Sequence, residues 1–496
     1  MDGSAVTTSP TLAGLEPTAF WRQFETLTTI PRPSRNEEPV IEHVRAWAAE
    51  HGFELEQDSG RNLVVRVPAT AGREAAPTVV LQGHLDMVCE RDPASPNDPA
   101  EGRIALVRDG EWLKADGTTL GADDGVAIAA MMALVEDGSI PHGPLELLMT
   151  VAEEVGLEGA NALDGSLVTG ATLINLDSEE DGVLTVGCAG STDTWIRVDA
   201  EREACSEGAV TLSVTCAGGL GGHSGSGIHL GHANAIKALG RALREAHAAA
   251  PFRLVSLAGG KSRNAIPRDA AAVCSVAADR AAAFRSAVEA ANAVIRDAYA
   301  KTDPGVSVSV GSADAATDAW TDEATARLLD VVALVPTGPL ALSPDFDGLI
   351  ETSTSLGEAA TDGGTLTLHS LSRSSNDSAM PEVIATLAAA ARLAGGTLEV
   401  KHNYHGWRPD LDSPLLGVAK TVYERLFGEA PTITGVHAGL ETAVIATKVP
   451  RHLDTLALGL QIEAPHSPDE RVSIPTVERF WKLLVGVVDE YSAERS

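Results

Sequence analysis

Residues 78–86, TVVLQGHLD, place a short apolar run directly before a histidine and an aspartate. Apolar runs of this length that end in a turn are typical of buried strands in an α/β sheet. Open α/β sheets bind their ligands beyond the carboxyl ends of the strands, which is where His84 would lie. Asp86 would share one side of the extended chain with His84 and could accept its second ring N–H, as supporting residues of metal sites do.

The same pattern recurs in residues 145–154 (LELLMTVAEE) and 172–177 (TLINLD), where apolar runs end at Glu153, Glu154 and Asp177. Adjacent carboxylates at a strand end repel each other unless cations or a shared proton relieve the repulsion. A solvated loop would not normally place an acidic pair directly against an apolar strand. The pattern therefore favours a cation site at these strand ends.

Two further segments extend this set of side chains. In residues 118–138, TTLGADDGVAIAAMMALVEDG, Asp123 and Asp124 stand at the N-terminus of a predicted apolar-faced helix. His466 lies in the loop 462–470, IEAPHSPDE. Capping of the helix N-terminus is the alternative interpretation of the two aspartates. Together these acids and histidines predict a site for two divalent metal ions with one carboxylate left for proton transfer, which indicates hydrolysis.

Composition limits the class of protein and its partners. At 496 residues the chain exceeds what one hydrophobic core usually supports, so two domains are expected. The formal net charge of −32 makes nucleic acid and anionic membrane surfaces unfavourable partners, because a negative field repels both. Residues 1–14 lack the features of a secretory signal, and no run reaches the about 18 apolar residues that span a bilayer, so a cytoplasmic location is expected. The five cysteines show no metal-binding spacing and are expected to be reduced.

The order of patterns along the chain predicts a nested arrangement. Helical patterns alternate with short apolar runs from about residue 17 to 190 and again from about residue 403, which is typical of an α/β domain. Between them, strand and helix patterns from VTLSVTCAG (210–218) to VSVSVGSA (306–313) predict a compact α+β insert with two helices over an antiparallel sheet. We therefore expect an α/β domain in residues 1–192 and 401–496, interrupted by an α+β domain in residues 193–400.

A set of motifs occurs in order along nearly the whole chain, beginning with IPRPSRNEE at residues 30–38. The others are QGHLDMVC (82–89), TTLGADDGVAIA (118–129), EEVGLEGA (153–160), NLDSEE (175–180), GGHSGSGIH (221–229), RNAIPR (263–268), HAGLE (437–441) and PHSPDE (465–470). In these motifs the sequence resembles the aminoacyl-histidine dipeptidases. That group belongs to the di-zinc metallopeptidase clan that also includes aminoacylase, carboxypeptidase G and succinyl-diaminopimelate desuccinylase.

The resemblance implies a zinc-peptidase catalytic domain, built as a mixed sheet flanked by helices, with an inserted lid and dimerisation domain. It also implies two Zn²⁺ ions per subunit, with Mn²⁺ or Co²⁺ as substitutes, and a homodimer formed through the inserted domain. His84 and Asp177 match the ligands of one metal, Glu154 and His466 match those of the other, and Asp123 matches the carboxylate that bridges them.

Other positions match supporting and catalytic residues of the same family. Asp86 matches the partner of His84, and Glu153 matches the general acid/base that serves a metal-bridging hydroxide. His223, in the insert, matches a histidine that reaches the active site of a partner subunit and steadies the oxyanion. Substrate-pocket or hinge positions are matched by Asn264, Arg268, Arg373, His437 and Glu441, although Arg268 and Arg373 could equally form structural ion pairs.

The chain is therefore expected to hydrolyse small dipeptides in the cytoplasm, preferentially of the Xaa-His type such as carnosine. An N-acyl amino-acid amidohydrolase of the same clan would share every metal ligand, so it stays open as an alternative, as does a metal-binding scaffold without catalytic activity. Residues 222–226, GHSGS, lack the closing glycine of a serine-hydrolase nucleophile elbow, and the sequence has no His-Glu-x-x-His run. Ala152 stands where the family commonly has an aspartate, which leaves the accepted N-terminal residue and peptide length open.

Overall fold

The computed structural model describes residues 9–493, so the ends of the two predicted catalytic segments, residues 1–8 and 494–496, lie outside the described residues. The described chain forms two compact units. The first unit contains residues up to 187, residues 409–435 and residues from 440 onward, and the second contains residues 188–408 and 436–439. The second unit is thus inserted into the first.

The borders of the insert differ slightly from the predicted ones. The predicted borders at 192/193 and 400/401 fall inside the strands Gly190–Asp199 and Thr397–Tyr404. These two strands pair with each other in an antiparallel ladder. Because the ladder joins them along most of their length, both strands belong to the second unit, and the main borders lie at 187/188 and 408/409.

The first unit is built on an eight-stranded mixed sheet flanked by helices, as predicted. In sheet order its strands are Glu54–Gln57, Leu63–Val67, Leu145–Thr150, Val79–His84, Thr172–Ser178, Asp454–Gly459, Val183–Cys188 and Thr432–Val436. The third to the sixth strand in this order are parallel to one another. Strands Val79–His84 and Leu145–Thr150 are buried at every position, which is typical of parallel strands covered on both faces.

Helices cover this sheet. They are Thr18–Leu27, Glu38–His51, Ala122–Glu136, Glu158–Ala162, Pro414–Phe427, Glu441–Lys448 and Ile474–Ala493, with a 3-10 turn at Pro99–Glu101. Ala122–Glu136 is buried on almost every side because its sequence is apolar all round. A Cβ atom at Gly83 would lie 2.5 Å from the Cβ of Ala127, so strand Val79–His84 packs against this helix at a distance that requires glycine.

A small four-stranded sheet joins the C-terminal loop of the first unit to the segment that precedes Asp123. In sheet order its strands are Ile462–Glu463, Arg471–Ser473, Trp112–Ala115 and Leu106–Asp109. Val472 pairs with Leu113, and the guanidinium of Arg471 lies 4.3 Å from the ring centroid of Trp112. The loop between the first two strands, which carries His466, is thereby held against the chain that leads into helix Ala122–Glu136.

The second unit is an antiparallel α+β domain, as predicted, but it contains more elements than the sequence pattern indicated. In sheet order its strands are Ser307–Ser312, Val210–Ala217, Ala270–Val276, Arg253–Gly259, Ile350–Asp362, Thr365–Ser374, Gly190–Asp199 and Thr397–Tyr404, with Gly338–Leu342 also paired to Ile350–Asp362. Its helices are Ala235–Ala249, Ala281–Ala298, Asp322–Leu334 and Met380–Leu393. Strands Arg202–Ala204 and Asp318–Trp320 form a separate ribbon, and 3-10 turns occupy Ile228–Leu230, Ala278–Arg280 and Asp377–Ala379. The apolar faces of the helices and alternate strand residues form one continuous core.

The helices of residues 9–493 include none that is both long and apolar enough to cross a membrane. Cys188, Cys216 and Cys274 are buried, whereas Cys89 and Cys205 are half-buried. Burial raises the pKa of the Cys89 thiol to about 11, so this thiol stays protonated at neutral pH.

Candidate metal centre

The predicted metal-site residues lie together because four adjacent strands of the first unit run parallel. Parallel strands end at one edge of the sheet, and ligand sites of open α/β sheets lie at that edge. In strand order, the edge carries Glu153 and Glu154, then His84, then Asp177, and, in the loop beyond the fourth strand, His466. Asp123 comes from the first turn of helix Ala122–Glu136, where its backbone is not helical.

The other four predicted ligands lie around Asp123. Its Oδ1 lies 2.9 Å from Nε2 of His84, and its Oδ2 lies 3.0 Å from Nε2 of His466. Nε2 of His84 also faces Oδ1 of Asp177 at 3.9 Å, and Nε2 of His466 faces Oε1 of Glu154 at 2.9 Å. The ligand atoms form two groups, His84–Asp123–Asp177 and Asp123–Glu154–His466, each contained within 4.8 Å. Asp123 belongs to both groups, as a carboxylate that bridges two metal ions must.

The ring nitrogens of His84 indicate that a cation fits this position. Nδ1 faces the backbone oxygen of Asp86 at 3.1 Å and its carboxylate at 3.4 Å, so Nδ1 carries a proton. In a neutral imidazole, Nε2 would then direct a lone pair at the oxygens of Asp123 and Asp177. Burial lowers the pKa of His84, but hydrogen bonds to Asp123 and Asp86 outweigh burial and raise it well above its usual value. The position favours positive charge, which a metal ion on Nε2 supplies.

The pKa values of Asp177 and His466 also indicate that the site favours positive charge. Burial raises the pKa of Asp177 well above its usual value, and the charges of Asp124 and Asp123 raise it further. Hydrogen bonds with Asp123 and Glu154 raise the pKa of His466 to about 11. Both shifts show that the cluster favours added positive charge. Imidazole nitrogens and carboxylate oxygens are ligands that Zn²⁺ and related divalent ions accept, so the residues present fit the predicted metals.

Asp86 positions the acidic pair that follows strand Leu145–Thr150. Its Oδ1 accepts the N–H of Glu153 at 3.0 Å, and its Oδ2 accepts the N–H of Glu154 at 3.3 Å. The carboxylate of Glu153 forms a third close group with His84 and Glu154. Burial raises the pKa of Glu153 well above its usual value; the charge of His84 opposes this shift. The raised pKa of Glu153 is the direction of shift expected of a carboxylic acid that donates a proton during catalysis.

Three of the residues predicted in the insert lie together in the second unit. Nη2 of Arg373 lies 3.5 Å from Nε2 of His223 and 3.5 Å from Oδ1 of Asn264, and its Nη1 lies 3.4 Å from the hydroxyl of Tyr404. Arg373 is only 4% exposed, and its Nε has no hydrogen-bond partner among residues 9–493. No carboxylate of these residues forms an ion pair with Arg373. A buried guanidinium without a carboxylate partner has N–H donors that can bind an anion.

His437 and Arg268 occupy different surroundings in the same unit. Nε2 of His437 is hydrogen-bonded to the hydroxyl of Ser353 at 2.7 Å. Burial, together with the charge of Arg373, lowers the pKa of His437 to about 3, so its ring is neutral at physiological pH. Arg268 is exposed, and its Nε donates to the backbone oxygen of Gly219 at 3.1 Å. The structure therefore places His437 next to the Arg373 cluster and does not place Arg268 in it.

Glu441 lies in the first unit and is fully buried. Its Oε2 accepts hydrogen bonds from Nε2 of Gln82 at 2.6 Å and from the hydroxyl of Thr150 at 2.5 Å. Asn175 extends this network by donating to Oε1 of Gln82 at 2.7 Å. Burial raises the pKa of Glu441 to about 7. Its surroundings are those of a residue that supports the strand ends, and its predicted contact with substrate stays a prediction.

Sequence reasoning did not assign roles to several residues that support the site. The hydroxyl of Ser34 donates to Oδ2 of Asp86 at 2.8 Å. Glu37 is fully buried, and its Oε1 accepts the N–H of Ala152 at 3.1 Å, directly before Glu153. Both supporting residues lie in the motif IPRPSRNEE, whose polar composition is typical of a loop. Their partners are more than 50 positions away in the chain, so no local pattern identifies them.

Comparison with known proteins assigns the chain to a family. Residues 80–490 match the peptidase family M20/M25/M40. The chain is 38% identical over 486 residues to the cytosol non-specific dipeptidase of Escherichia coli (strain K12), which covers 97% of this chain and 99% of that relative. Among solved structures, the aminoacylhistidine dipeptidase from Vibrio alginolyticus aligns with a TM-score of 0.86 and 34% identity, over 96% of this chain and 97% of that chain.

A more distant structure shares the fold. Aminopeptidase PepT from Bacillus cereus ATCC 10987 aligns with a TM-score of 0.58 and 18% identity, over 96% of this chain and 99% of that chain. The family match extends over most of the sequence, and the Escherichia coli relative matches almost from end to end. These findings confirm the resemblance seen in the motifs, and the chain belongs to the peptidase family M20/M25/M40.

Proposed function

We propose that this protein is a cytoplasmic metal-dependent dipeptidase that preferentially hydrolyses dipeptides of the Xaa-His type. The observation that carries the proposal is the convergence of two histidines and three carboxylates at one edge of the parallel strands. Family membership supports peptide hydrolysis, and the two dipeptidases described above support a dipeptide substrate. One of them is named non-specific and the other aminoacylhistidine dipeptidase, so the preference for histidine is the finer part of the proposal.

The proposed cofactors are two Zn²⁺ ions per subunit, for which Mn²⁺ or Co²⁺ could substitute. His84 and Asp177 would hold one ion, Glu154 and His466 would hold the other, and Asp123 would bridge them. Divalent ions in such a site lower the pKa of a bound water and polarise the carbonyl of the substrate. The excess of buried carboxylate over cation around Asp123 supports this assignment.

Glu153 would move the proton during hydrolysis. It is adjacent to the proposed ligand Glu154, and the carboxylate of Asp86 accepts the backbone N–H groups of both residues. Its carboxylate would take a proton from the attacking water and deliver it to the amide nitrogen of the departing amino acid. Burial of Glu153 raises its pKa, which favours the protonated form that donates to the leaving amine.

Arg373 would bind the α-carboxylate of the dipeptide. A dipeptide carries this carboxylate one residue from the scissile bond, so its recognition restricts peptide length. The long contacts of Arg373 with Asn264 and His223 leave its N–H groups available for two charge-assisted hydrogen bonds. By the family resemblance, His223 would steady the developing oxyanion in the site of a partner subunit, within a homodimer formed through the inserted domain.

A substrate panel on metal-stripped and zinc-restored protein tests the proposal. It compares Xaa-His dipeptides, matched Xaa-Ala dipeptides, tripeptides and N-acetyl amino acids. We expect zinc to restore hydrolysis of the dipeptides, with the highest kcat/KM for Xaa-His. Faster hydrolysis of N-acetyl amino acids would favour the amidohydrolase alternative, and zinc binding without any hydrolysis would favour a scaffold. Equal kcat/KM for Xaa-His and Xaa-Ala would reduce the function to a non-specific dipeptidase.

A further inference from the structure

Glu470 lies four residues beyond His466 and is only 2% exposed. Its carboxylate accepts hydrogen bonds from the backbone of the turn that leads into Asp123, which we call the aspartate turn (residues 120–123). Oε2 accepts the N–H of Leu120 at 2.7 Å and that of Gly121 at 3.0 Å, and Oε1 accepts the next N–H along the chain at 2.8 Å. One buried carboxylate thus holds three successive peptides of this turn.

Arg32 holds the aspartate turn from another direction and is also only 2% exposed. Its Nη2 donates to the backbone oxygen of Gly121 at 2.5 Å. Its Nη1 donates to the backbone oxygens of Leu85 at 3.1 Å and Asp86 at 2.9 Å, in the loop that follows His84. Gly121 has a φ of 70°, and a Cβ atom there would lie 2.5 Å from Nη2 of Arg32, so the close approach requires glycine.

We propose that Arg32 and Glu470 act as positioning residues that set the metal affinity of the site. Arg32 joins the loop after His84 to the aspartate turn, and Glu470 joins the aspartate turn to the loop that carries His466. The two residues therefore fix the mutual positions of three chain segments that each present a proposed ligand. This inference rests on the proposed function, because it assumes that these residues bind metal.

The expected size of the effect follows from the way supporting residues act on metal sites. Loss of a residue that orients a ligand typically lowers metal affinity or activity about 10-fold to 100-fold. In Glu470→Gln, one acceptor oxygen becomes an NH₂ group that faces backbone N–H donors, so part of the aspartate turn loses its anchor. In Arg32→Lys the charge remains, but one ammonium group cannot hold the carbonyl groups of both loops in the geometry of a guanidinium.

Glu146→Gln provides a matched control. Glu146 is also 2% exposed, and its Oε2 accepts the backbone N–H groups of Thr169 at 2.9 Å and Gly170 at 3.2 Å. The segment it holds carries none of the proposed ligands. Glu146 also forms an ion pair with Arg66, so its loss should destabilise the first unit at least as strongly, while the proposed ligands, which follow the other end of strand Leu145–Thr150, keep their positions.

The experiment measures zinc affinity by competition with a chromophoric chelator and, separately, the Tm of the metal-free proteins. We expect zinc affinity to fall about 10-fold to 100-fold in Glu470→Gln and Arg32→Lys. In Glu146→Gln we expect zinc affinity to fall less than about threefold, even if its Tm falls as far as that of the other two variants. Wild-type affinity in both Glu470→Gln and Arg32→Lys would overturn the inference, as would an equal loss of affinity in Glu146→Gln. If Glu470→Gln does not fold, Arg32→Lys decides alone. Wild-type protein that binds no zinc would instead refute the proposed function itself.

Discussion

The buried guanidinium of Arg373 allows its proposed recognition of the substrate carboxylate to be tested by a thermodynamic cycle. Arg373 is 4% exposed, and its contacts with Tyr404, His223 and Asn264 are 3.4–3.5 Å long. Contacts of this length are weak hydrogen bonds, so the bound substrate would supply the first strong partners. Arg373→Met removes the charge and the donors while it keeps much of the side-chain volume.

The magnitude follows from the two hydrogen bonds that one carboxylate can accept from a guanidinium. A hydrogen bond to a charged group contributes about 1.5–3 kcal/mol, and the lower value for both bonds gives about 3 kcal/mol. Because about 1.4 kcal/mol corresponds to a factor of ten, kcat/KM for a dipeptide should fall about 100-fold in Arg373→Met. A dipeptide amide lacks the carboxylate, so the wild-type protein should lose a similar factor on it.

The cycle is completed by assaying the variant on both substrates. Arg373→Met should cleave a dipeptide and its amide with similar kcat/KM, because the partner that distinguishes them is gone. Arg268→Met is the control, since Arg268 is exposed and contacts a backbone oxygen outside the Arg373 cluster. That variant should keep the full preference for the free carboxylate. If Arg373→Met also keeps this preference, carboxylate recognition by Arg373 is refuted.

Thermal unfolding separates this role from that of a structural ion pair. Removal of one partner of a buried ion pair costs about 3–5 kcal/mol, because the other charge is left uncompensated. No carboxylate among residues 9–493 forms an ion pair with Arg373, so its replacement by methionine leaves no such charge behind. The Tm of Arg373→Met should therefore equal or exceed that of the wild type.

Three further predictions concern catalysis, pH and packing. Glu153→Gln should keep its metal content but lose about 10²-fold to 10⁴-fold in kcat, whereas His84→Ala should lose metal as well; metal analysis and initial rates measure both. The pKa of His437 is lowered to about 3, so its contribution to stability is present above about pH 6.5 and is lost as pH falls toward 3. His437→Asn should flatten the pH dependence of the unfolding free energy in this range, by up to about 1.4 kcal/mol per pH unit, and an unchanged slope would contradict this. Gly83→Ala should destabilise the protein by about 1–3 kcal/mol in urea unfolding, whereas Gly417→Ala, in an exposed helix position where a Cβ meets nothing within 4 Å, should stabilise it by about 0.5–1 kcal/mol.

The catalytic sheet and the convergence of the proposed ligands at its edge could be predicted because both leave local signals. Strands Val79–His84 and Leu145–Thr150 are covered on both faces, so their sequences are nearly continuous apolar runs. A charged residue directly after such a run stands at the edge of the sheet, and Asp177 follows the same rule in the next strand. Parallel pairing then brings these ends together without further information from the sequence.

The second half of the inserted sheet left no comparable signal. Strands Ile350–Asp362 and Thr365–Ser374 contain many serine and threonine residues, such as Ser353 and Thr354, that are buried in spite of their polarity. A strand with buried polar residues on both faces lacks the alternation of apolar and polar positions that identifies a half-buried strand. The helices Asp322–Leu334 and Met380–Leu393 were missed with these strands, so the insert contains more elements than the pattern indicated.

The hydrogen bonds of the carboxylates give a physical distinction between the proposed ligands and the supporting acids, whereas the sequence assigned these roles only through the family resemblance. Asp123 and Asp124 are adjacent and chemically identical in the sequence, yet Oδ2 of Asp124 accepts the backbone N–H of His84 at 3.1 Å, whereas both oxygens of Asp123 face imidazole nitrogens. Asp86 and Glu470 likewise give their oxygens to backbone N–H groups. An oxygen whose lone pairs are engaged by amide donors is a poorer metal ligand. We therefore expect Asp123 rather than Asp124 to bind metal, because the backbone N–H of His84 engages one oxygen of Asp124, whereas both oxygens of Asp123 face the imidazole nitrogens.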